Sequence, residues 1–305
     1  MFDFKMSTSN SLDRIFQPWQ QPTPYGYTLS GYLYQAENES HRIHLLHGTG
    51  FSGLTLSEMA KNLPTSWSTC ITDLPGHGNS QQPKHRMPDW QEMASAVYQS
   101  VSTQMSIEKH GRIIGIGHSL GGVLTLMAAA QHPKYFQRVI LLDPPIFNRP
   151  VMTFQKILRK THLWPHSPLV KAVVNRQSYW HSIEQMKQYL SEKSLYRHWH
   201  AQALEDFCQS ATIKMKEGVK LACNPQWEGE IFGSYPRGLW SKIKKVGVKV
   251  DIVTAQKSYP FIKPSVNKAL RLNSGIRVHK FGKRHCFPME QPAETAKFIA
   301  DLVNH

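Results

Sequence analysis

The stretch Gly115-Ile116-Gly117-His118-Ser119-Leu120-Gly121-Gly122 carries the strongest structural signal in this chain. It ends a β-branched run over residues 111–117 and opens a stretch of small and apolar residues with helical periodicity over 122–131. A serine on a sharp strand-to-helix turn needs neighbours without side chains, and Gly117 and Gly121 supply them in the G-x-S-x-G spacing. Ser119 is therefore expected to project above the sheet as a nucleophile. The N–H of Leu120 is expected to point into the same space at a helix N-terminus, where negative charge is favoured. The alternative is a tight turn whose serine merely caps the helix.

Short β-branched runs bounded by turn residues recur on both sides, over 41–46, 68–73, 138–143, 248–255 and 276–282. The alternating, aromatic run 25–34 precedes them and predicts an antiparallel start. Helical periodicity over 90–105, 122–131 and 293–303 places helices between the strands. This alternation predicts an α/β fold, a mostly parallel central sheet with helices on both faces. It breaks between about residues 147 and 239, where no β run is evident and several amphipathic helices are expected. Residues 1–147 and 239–305 then read as two parts of one core, and 148–238 as an inserted helical cap. Within the insert, Phe154, Ile157, Leu158, Leu163 and Trp164 fall at spacings that form an apolar stripe. Phe154 and Trp164 are candidates for a pocket wall, with ordinary packing onto the core as the competing role.

The 305 residues carry 36 Lys+Arg against 21 Asp+Glu, a net charge of +15, which makes polyanions plausible neighbours. The cations are dispersed, and no zinc finger, RNP aromatic motif or continuous basic helix occurs, so no nucleic-acid partner is expected. Weak association with an anionic membrane surface is compatible with the charge. No window approaches the ~18 apolar residues of a membrane span, and the N-terminus lacks the apolar core of a signal peptide, so a cytoplasmic location is expected. Cys70, Cys208, Cys223 and Cys286 are scattered without CxxC spacing, which argues against a disulfide framework and a zinc site.

Three further segments lie where strands end. In His47-Gly48-Thr49-Gly50-Phe51 the glycines let backbone approach a ligand, with the Thr49 N–H as a second oxyanion donor and Gly50 shaping the loop. His47 reads as a brace for that loop rather than a catalytic group. Asp73 and His77, in a turn-rich segment, read as local hydrogen-bonding residues. His285 follows the last strand and precedes the last helix, where a general base reaches the nucleophile from another loop. His118 and Gly50, beside these groups, are candidates for lining the pocket.

Taken in order, HGTG, DLPGHGNS, GHSLGG, a helical insert and HCFPMEQP resemble the α/β-hydrolase superfamily over about residues 25–302. The resemblance implies Ser119 as nucleophile, His285 as base, and the backbone N–H groups of Leu120 and Thr49 as the oxyanion hole. Cys223-Asn224-Pro225-Gln226-Trp227-Glu228 is also similar to a Cys-x-Pro-x-x-Glu segment of one cap-bearing branch. The chain departs from the family pattern at Ser258, where the triad acid is often an Asp. Asp251 lies inside its strand, roughly 13 Å below the catalytic edge at about 3.3 Å per residue. Asp143 ends its strand directly before Pro144-Pro145, which cannot continue a central strand, and so stands at the carboxyl edge. Asp143 is the expected acid, with capping of the Asp-Pro-Pro turn as its alternative role.

These readings converge on a serine hydrolase that cleaves a small-molecule carboxylic ester with a hydrophobic acyl or alcohol part. No metal or cofactor is required. A serine at position 119 argues against dehalogenase and epoxide-hydrolase chemistry, whose alkyl-enzyme intermediate needs a carboxylate nucleophile. Lactone, thioester and C–C bond hydrolysis use the same triad and remain open, as does a non-catalytic ligand-binding role.

Overall fold

The structure, a computed structural model, describes residues 14–147 and 168–305. Its strands, in chain order, are β1 Gln17–Pro22, β2 Thr28–Tyr34, β3 His41–Leu46, β4 Trp67–Thr72, β5 Ile113–His118 and β6 Phe136–Leu142. They continue as β7 Tyr179–Trp180, β8 Thr212–Lys214, β9 Val219–Leu221, β10 Lys249–Thr254 and β11 Ile276–Lys280. Eight of them form one sheet in the order β1-β2-β4-β3-β5-β6-β10-β11. The pairs β1–β2 and β2–β4 are antiparallel, and from β4 onward the neighbours run parallel. The antiparallel start and the parallel body are both as expected from the sequence.

Strand β6 shows how the sheet is built. Its side chains alternate with period two, so Val139 and Leu141 enter one hydrophobic core while Ile140 and Leu142 enter the other. Helices Trp90–Gln104, Leu120–Gln131, Leu239–Lys245 and Ile262–Leu272 cover the first face. Helices Ser57–Lys61 and Pro292–Asn304 cover the second. Burying each of these large aliphatic side chains contributes about 1.5–3 kcal/mol. The helix at Trp90 starts where Asp89 accepts from the N–H groups of Gln91 and Glu92, and the Glu92 carboxylate accepts from the Asp89 N–H at 2.8 Å. This reciprocal cap fixes its first turn.

Two parts of the architecture escape the sequence reading. Strand β1 contains Pro18 and Pro22 and is tolerated because it is the outermost strand, where a missing N–H costs no ladder bond. In the inserted segment, helices Pro168–Val174, Ile183–Ser191, Ala201–Ser210 and Pro225–Phe232 are accompanied by a three-stranded sheet, β7-β9-β8. The helical expectation for this segment is thus incomplete, because strands of two or three residues leave no readable alternation. Trp180, Val219 and Leu221 of this small sheet pack with Trp199 and Phe207 into the second core. Phe154 and Trp164 lie outside the described residues. No helix among the described residues is long and apolar enough to cross a membrane.

Candidate active site

Ser119 sits between β5 and the helix Leu120–Gln131 with φ 52 and ψ −123, a conformation a non-glycine residue holds at a cost of about 1–3 kcal/mol. The turn is held by its surroundings. The Ser119 N–H donates to the Leu142 carbonyl at 2.9 Å, and its own carbonyl accepts from Gly122 at 2.9 Å. A Cβ on Gly117 would lie 2.3 Å from the Gly121 oxygen, and one on Gly121 would lie 2.2 Å from the Leu46 oxygen. Both glycines are therefore steric requirements, and Ser119 stays partly accessible.

Three loops at the carboxyl edge meet at this serine. His285, after β11, places Nε2 3.1 Å from Ser119 Oγ and Nδ1 2.6 Å from Asp143 Oδ2. Asp143 leaves the end of β6 with φ 46, its N–H still donating to Val253 of β10 at 2.7 Å. Its fully buried carboxylate also accepts from the Ala255 N–H at 3.0 Å and from the Ser258 hydroxyl at 2.7 Å. Burial alone would raise its pKa; the hydrogen bond to His285 and that ring's charge, then Ser258 and Ala255, outweigh burial and hold it below the usual value. Ser258, which stands where a family acid is often found, is thus a hydrogen-bond donor from the end of β10 to Asp143 at the end of the neighbouring strand β6. Sequence carries no signal for that role.

Asp251 lies elsewhere. Inside β10 and buried, it faces Arg138 Nε at 3.1 Å and His279 Nε2 at 2.8 Å, away from Ser119.

The loop 47–51 passes over the serine. A Cβ on Gly48 would lie 3.0 Å from the Ser119 Cβ, so any side chain there would crowd the serine. No described residue accepts from the backbone N–H of Thr49 or of Leu120. His47 accepts from the Leu74 N–H at Nε2 (2.9 Å), so Nδ1 carries the proton and donates to Gly48 O at 2.7 Å. Burial, then the neighbouring His77 ring, holds its pKa well below the ordinary value, as a neutral brace requires. His77 likewise accepts from the Gly50 N–H at 3.0 Å, and Asp73 accepts from Gly53 at 2.6 Å and Asn79 at 2.9 Å. All three residues act as the local braces expected of them.

His118 is fully buried and pushed down to about 3 by that burial. Its Nε2 meets the His285 carbonyl at 2.9 Å, so it ties the His285 loop to the Ser119 turn. Gly50 is buried against the insert rather than open toward Ser119. Aromatic rings missed from sequence lie beside His285: Tyr259 meets it edge-on at 5.0 Å, stacks with Phe261 at 5.7 Å, and Phe261 stacks with Phe147 at 5.2 Å. Among the described residues no cluster of three or more His, Cys, Asp or Glu has the arrangement of a metal site.

A nucleophile-type turn on a doubly covered parallel sheet, with histidine and aspartate delivered by later strand ends, defines an α/β hydrolase. A family model described as the alpha/beta hydrolase fold matches residues 42–217, and the chain belongs to that family. Among curated relatives, the pimeloyl-(acyl-carrier protein) methyl ester esterase of Neisseria meningitidis is 33% identical over 100 residues, 33% of this chain and 29% of that protein. Monoglyceride lipase of Rattus norvegicus is 29% identical over 109 residues, 35% of this chain and 36% of the lipase. The chain thus matches about a third of the length of these relatives. Among solved structures, a peroxisomal alpha-beta-hydrolase of Saccharomyces cerevisiae has a TM-score of 0.74 at 17% identity, covering 97% of this chain and 90% of that one. E-2-(acetamidomethylene)succinate hydrolase has a TM-score of 0.70 at 18% identity, covering 95% of this chain and 100% of that one. These structural likenesses establish the fold.

Proposed function

We propose that the protein is a serine hydrolase that cleaves a carboxylic ester with a hydrophobic acyl or alcohol part. The carrying observation is the continuous relay Ser119 Oγ, His285 Nε2, His285 Nδ1, Asp143 Oδ2, with links of 3.1 and 2.6 Å. In this reading His285 removes the Ser119 proton as Oγ attacks the ester carbonyl, and Asp143 fixes the ring tautomer and stabilises the imidazolium. The oxyanion that forms is held by the N–H groups of Thr49 and Leu120, the latter at a helix N-terminus. His285 then gives its proton to the leaving alcohol, leaving an acyl-Ser119 ester. Water attacks that ester by the same route in reverse order, and acid and free serine are released. The esterase and lipase relatives support ester chemistry, and Phe147, Phe261 and Tyr259 support a hydrophobic substrate part. The segment 148–238 is read as a cap over this edge.

The test is a panel of p-nitrophenyl esters of graded chain length, with a thioester and a lactone alongside, run on wild type and Ser119→Ala. Ester turnover that rises with chain length and vanishes in the variant is expected. Turnover surviving in Ser119→Ala removes the reading; preference for the thioester or lactone moves it to a neighbouring hydrolase class.

A further inference from the structure

Behind the loop that carries Thr49 lies an ion pair, its carboxylate buried and its guanidinium half-buried, that the proposed chemistry does not use. Helix Pro168–Val174 crosses helix Pro225–Phe232 so closely that a Cβ on Gly229 would meet Val174 Cγ2 at 2.6 Å. That crossing brings Arg176, just past the first helix, to Glu228 in the second, with Nη2 and Oε2 2.8 Å apart. The two atoms are charge neighbours without the alignment of a hydrogen bond. The other carboxylate oxygen lies on the backbone of Gly50, where a Cβ would be 2.4 Å from Oε1. Gly50 has φ +80 and is the next residue after Thr49. The same segment grips neighbouring loops: Trp227 Nε1 donates to the Pro75 carbonyl at 2.9 Å, and Cys223 Sγ meets His77 Nε2 at 3.2 Å. The Cys-x-Pro-x-x-Glu segment thus anchors the insert onto the loops shaping the oxyanion side.

An anchor of this kind has an electrostatic penalty. A carboxylate packed against Gly50 opposes any negative charge that develops at the Thr49 N–H, and a water-poor site screens it weakly. We propose that Arg176 is a positioning residue of the oxyanion site, neutralising Glu228 so that this carboxylate holds the loop without opposing the oxyanion. The inference rests on the ester-hydrolase reading above. Among the described residues, the remaining groups that face Glu228 supply no compensating charge. Burial pushes the Cys223 thiol and the Tyr196 hydroxyl up, and pushes His77 down to about 4, so all three are neutral near pH 7. Burial also raises the Glu228 pKa and the Arg176 charge lowers it, so Arg176 favours the ionised form.

Without Arg176 the Glu228 pKa rises further, so the carboxyl is neutral at lower pH and becomes an unbalanced anion as pH increases. Arg176→Gln is therefore expected to lose roughly 10- to 100-fold in kcat with little change in KM, the loss growing toward alkaline pH. Glu228→Gln should lose less than about threefold, and the double variant Arg176→Gln/Glu228→Gln should recover to that level and lose the alkaline limb. Arg176→Lys, which keeps the charge, should retain most of kcat and serves as the test if Arg176→Gln does not fold.

Three readouts are taken on each variant: kcat and KM for a soluble p-nitrophenyl ester from pH 6 to 10, affinity for an alkyl boronic acid, and Ser119 labelling by a fluorophosphonate. Boronate affinity should fall in step with kcat in Arg176→Gln, because the bound boronate is a tetrahedral anion. Equal losses in single and double variants, or a loss independent of pH and of boronate affinity, overturn the proposal and leave a packing role. Wild type that neither hydrolyses the ester nor takes the label fails the hydrolase reading itself. Wild type that does both while Arg176→Gln matches it fails this inference alone.

Discussion

Two buried aspartates on neighbouring strands each face a histidine, and among the described residues one of these pairs reaches on to a serine hydroxyl. Asp143 and His285 are 2.6 Å apart, and Asp251 and His279 are 2.8 Å apart. The difference lies in position along the strand. Asp251 sits within β10, in register with Ile140 of β6 and Arg277 of β11, and Arg138 adds a cation beside it. With Arg138 its pair therefore ties three strands together. Asp143 stands just past the end of β6 at φ 46, and the histidine it meets comes from the loop after β11 and reaches the Ser119 hydroxyl. The same two side chains make a staple inside a sheet and a relay at its carboxyl edge.

Substitutions should separate the two pairs sharply. The largest effect is expected at the end of the relay: Ser119→Ala should lower kcat by roughly 10⁶ while thermal unfolding changes little, since the serine lies on a surface turn. Asp143→Asn should lower kcat by roughly 10⁴, the scale of losing the correct histidine tautomer, with binding nearly intact. Steady-state kinetics on one ester checks both, and near-normal turnover in Asp143→Asn would dissolve the distinction between the pairs.

Asp251→Asn should do the reverse. Leaving Arg138 without its buried partner should cost about 3–5 kcal/mol of stability, read from denaturant unfolding. Turnover at a temperature where the variant is folded should stay within about threefold. A smaller effect is expected at Ser258→Ala, which removes one donor from the Asp143 carboxylate and should reduce kcat roughly three- to tenfold. The smallest is a pH signature. Because the native Asp143 pKa is depressed, its contribution to stability is present above the ordinary aspartate value and is lost as pH falls through the native one. Acid unfolding of Asp143→Asn should lack that component, while Asp251→Asn retains it.

The same contrast shows what sequence makes legible. The parallel strands are readable because buried β-branched runs such as Ile113 to Ile116 admit few other roles. Ser119, with its two glycines, is readable because steric demands select the residues on either side. Asp143 is readable because Pro144 and Pro145 stop the strand, which places the carboxylate at the edge. Ser258 is different: its hydroxyl serves an acid 115 positions away, and nothing local distinguishes it from any loop serine. Arg176 and Glu228 are hidden for the same reason, since their pairing depends on how two helices cross at Gly229. His118 beside Ser119 looks from sequence like a pocket residue, yet the strand's alternation turns it inward beneath Phe51, ring to ring at 6.2 Å. Long-range partnerships between polar side chains are set by packing geometry, which periodicity and spacing do not encode.

The most direct test of the relay is to catch the covalent intermediate it implies. Wild-type protein mixed with a p-nitrophenyl ester and quenched in acid within milliseconds to seconds should release nitrophenol in a burst of about one equivalent per chain. Peptide mass spectrometry of the quenched sample should then find the acyl group on the peptide containing Ser119. An acyl group on another residue, or turnover with neither burst nor adduct under single-turnover conditions, would contradict the account.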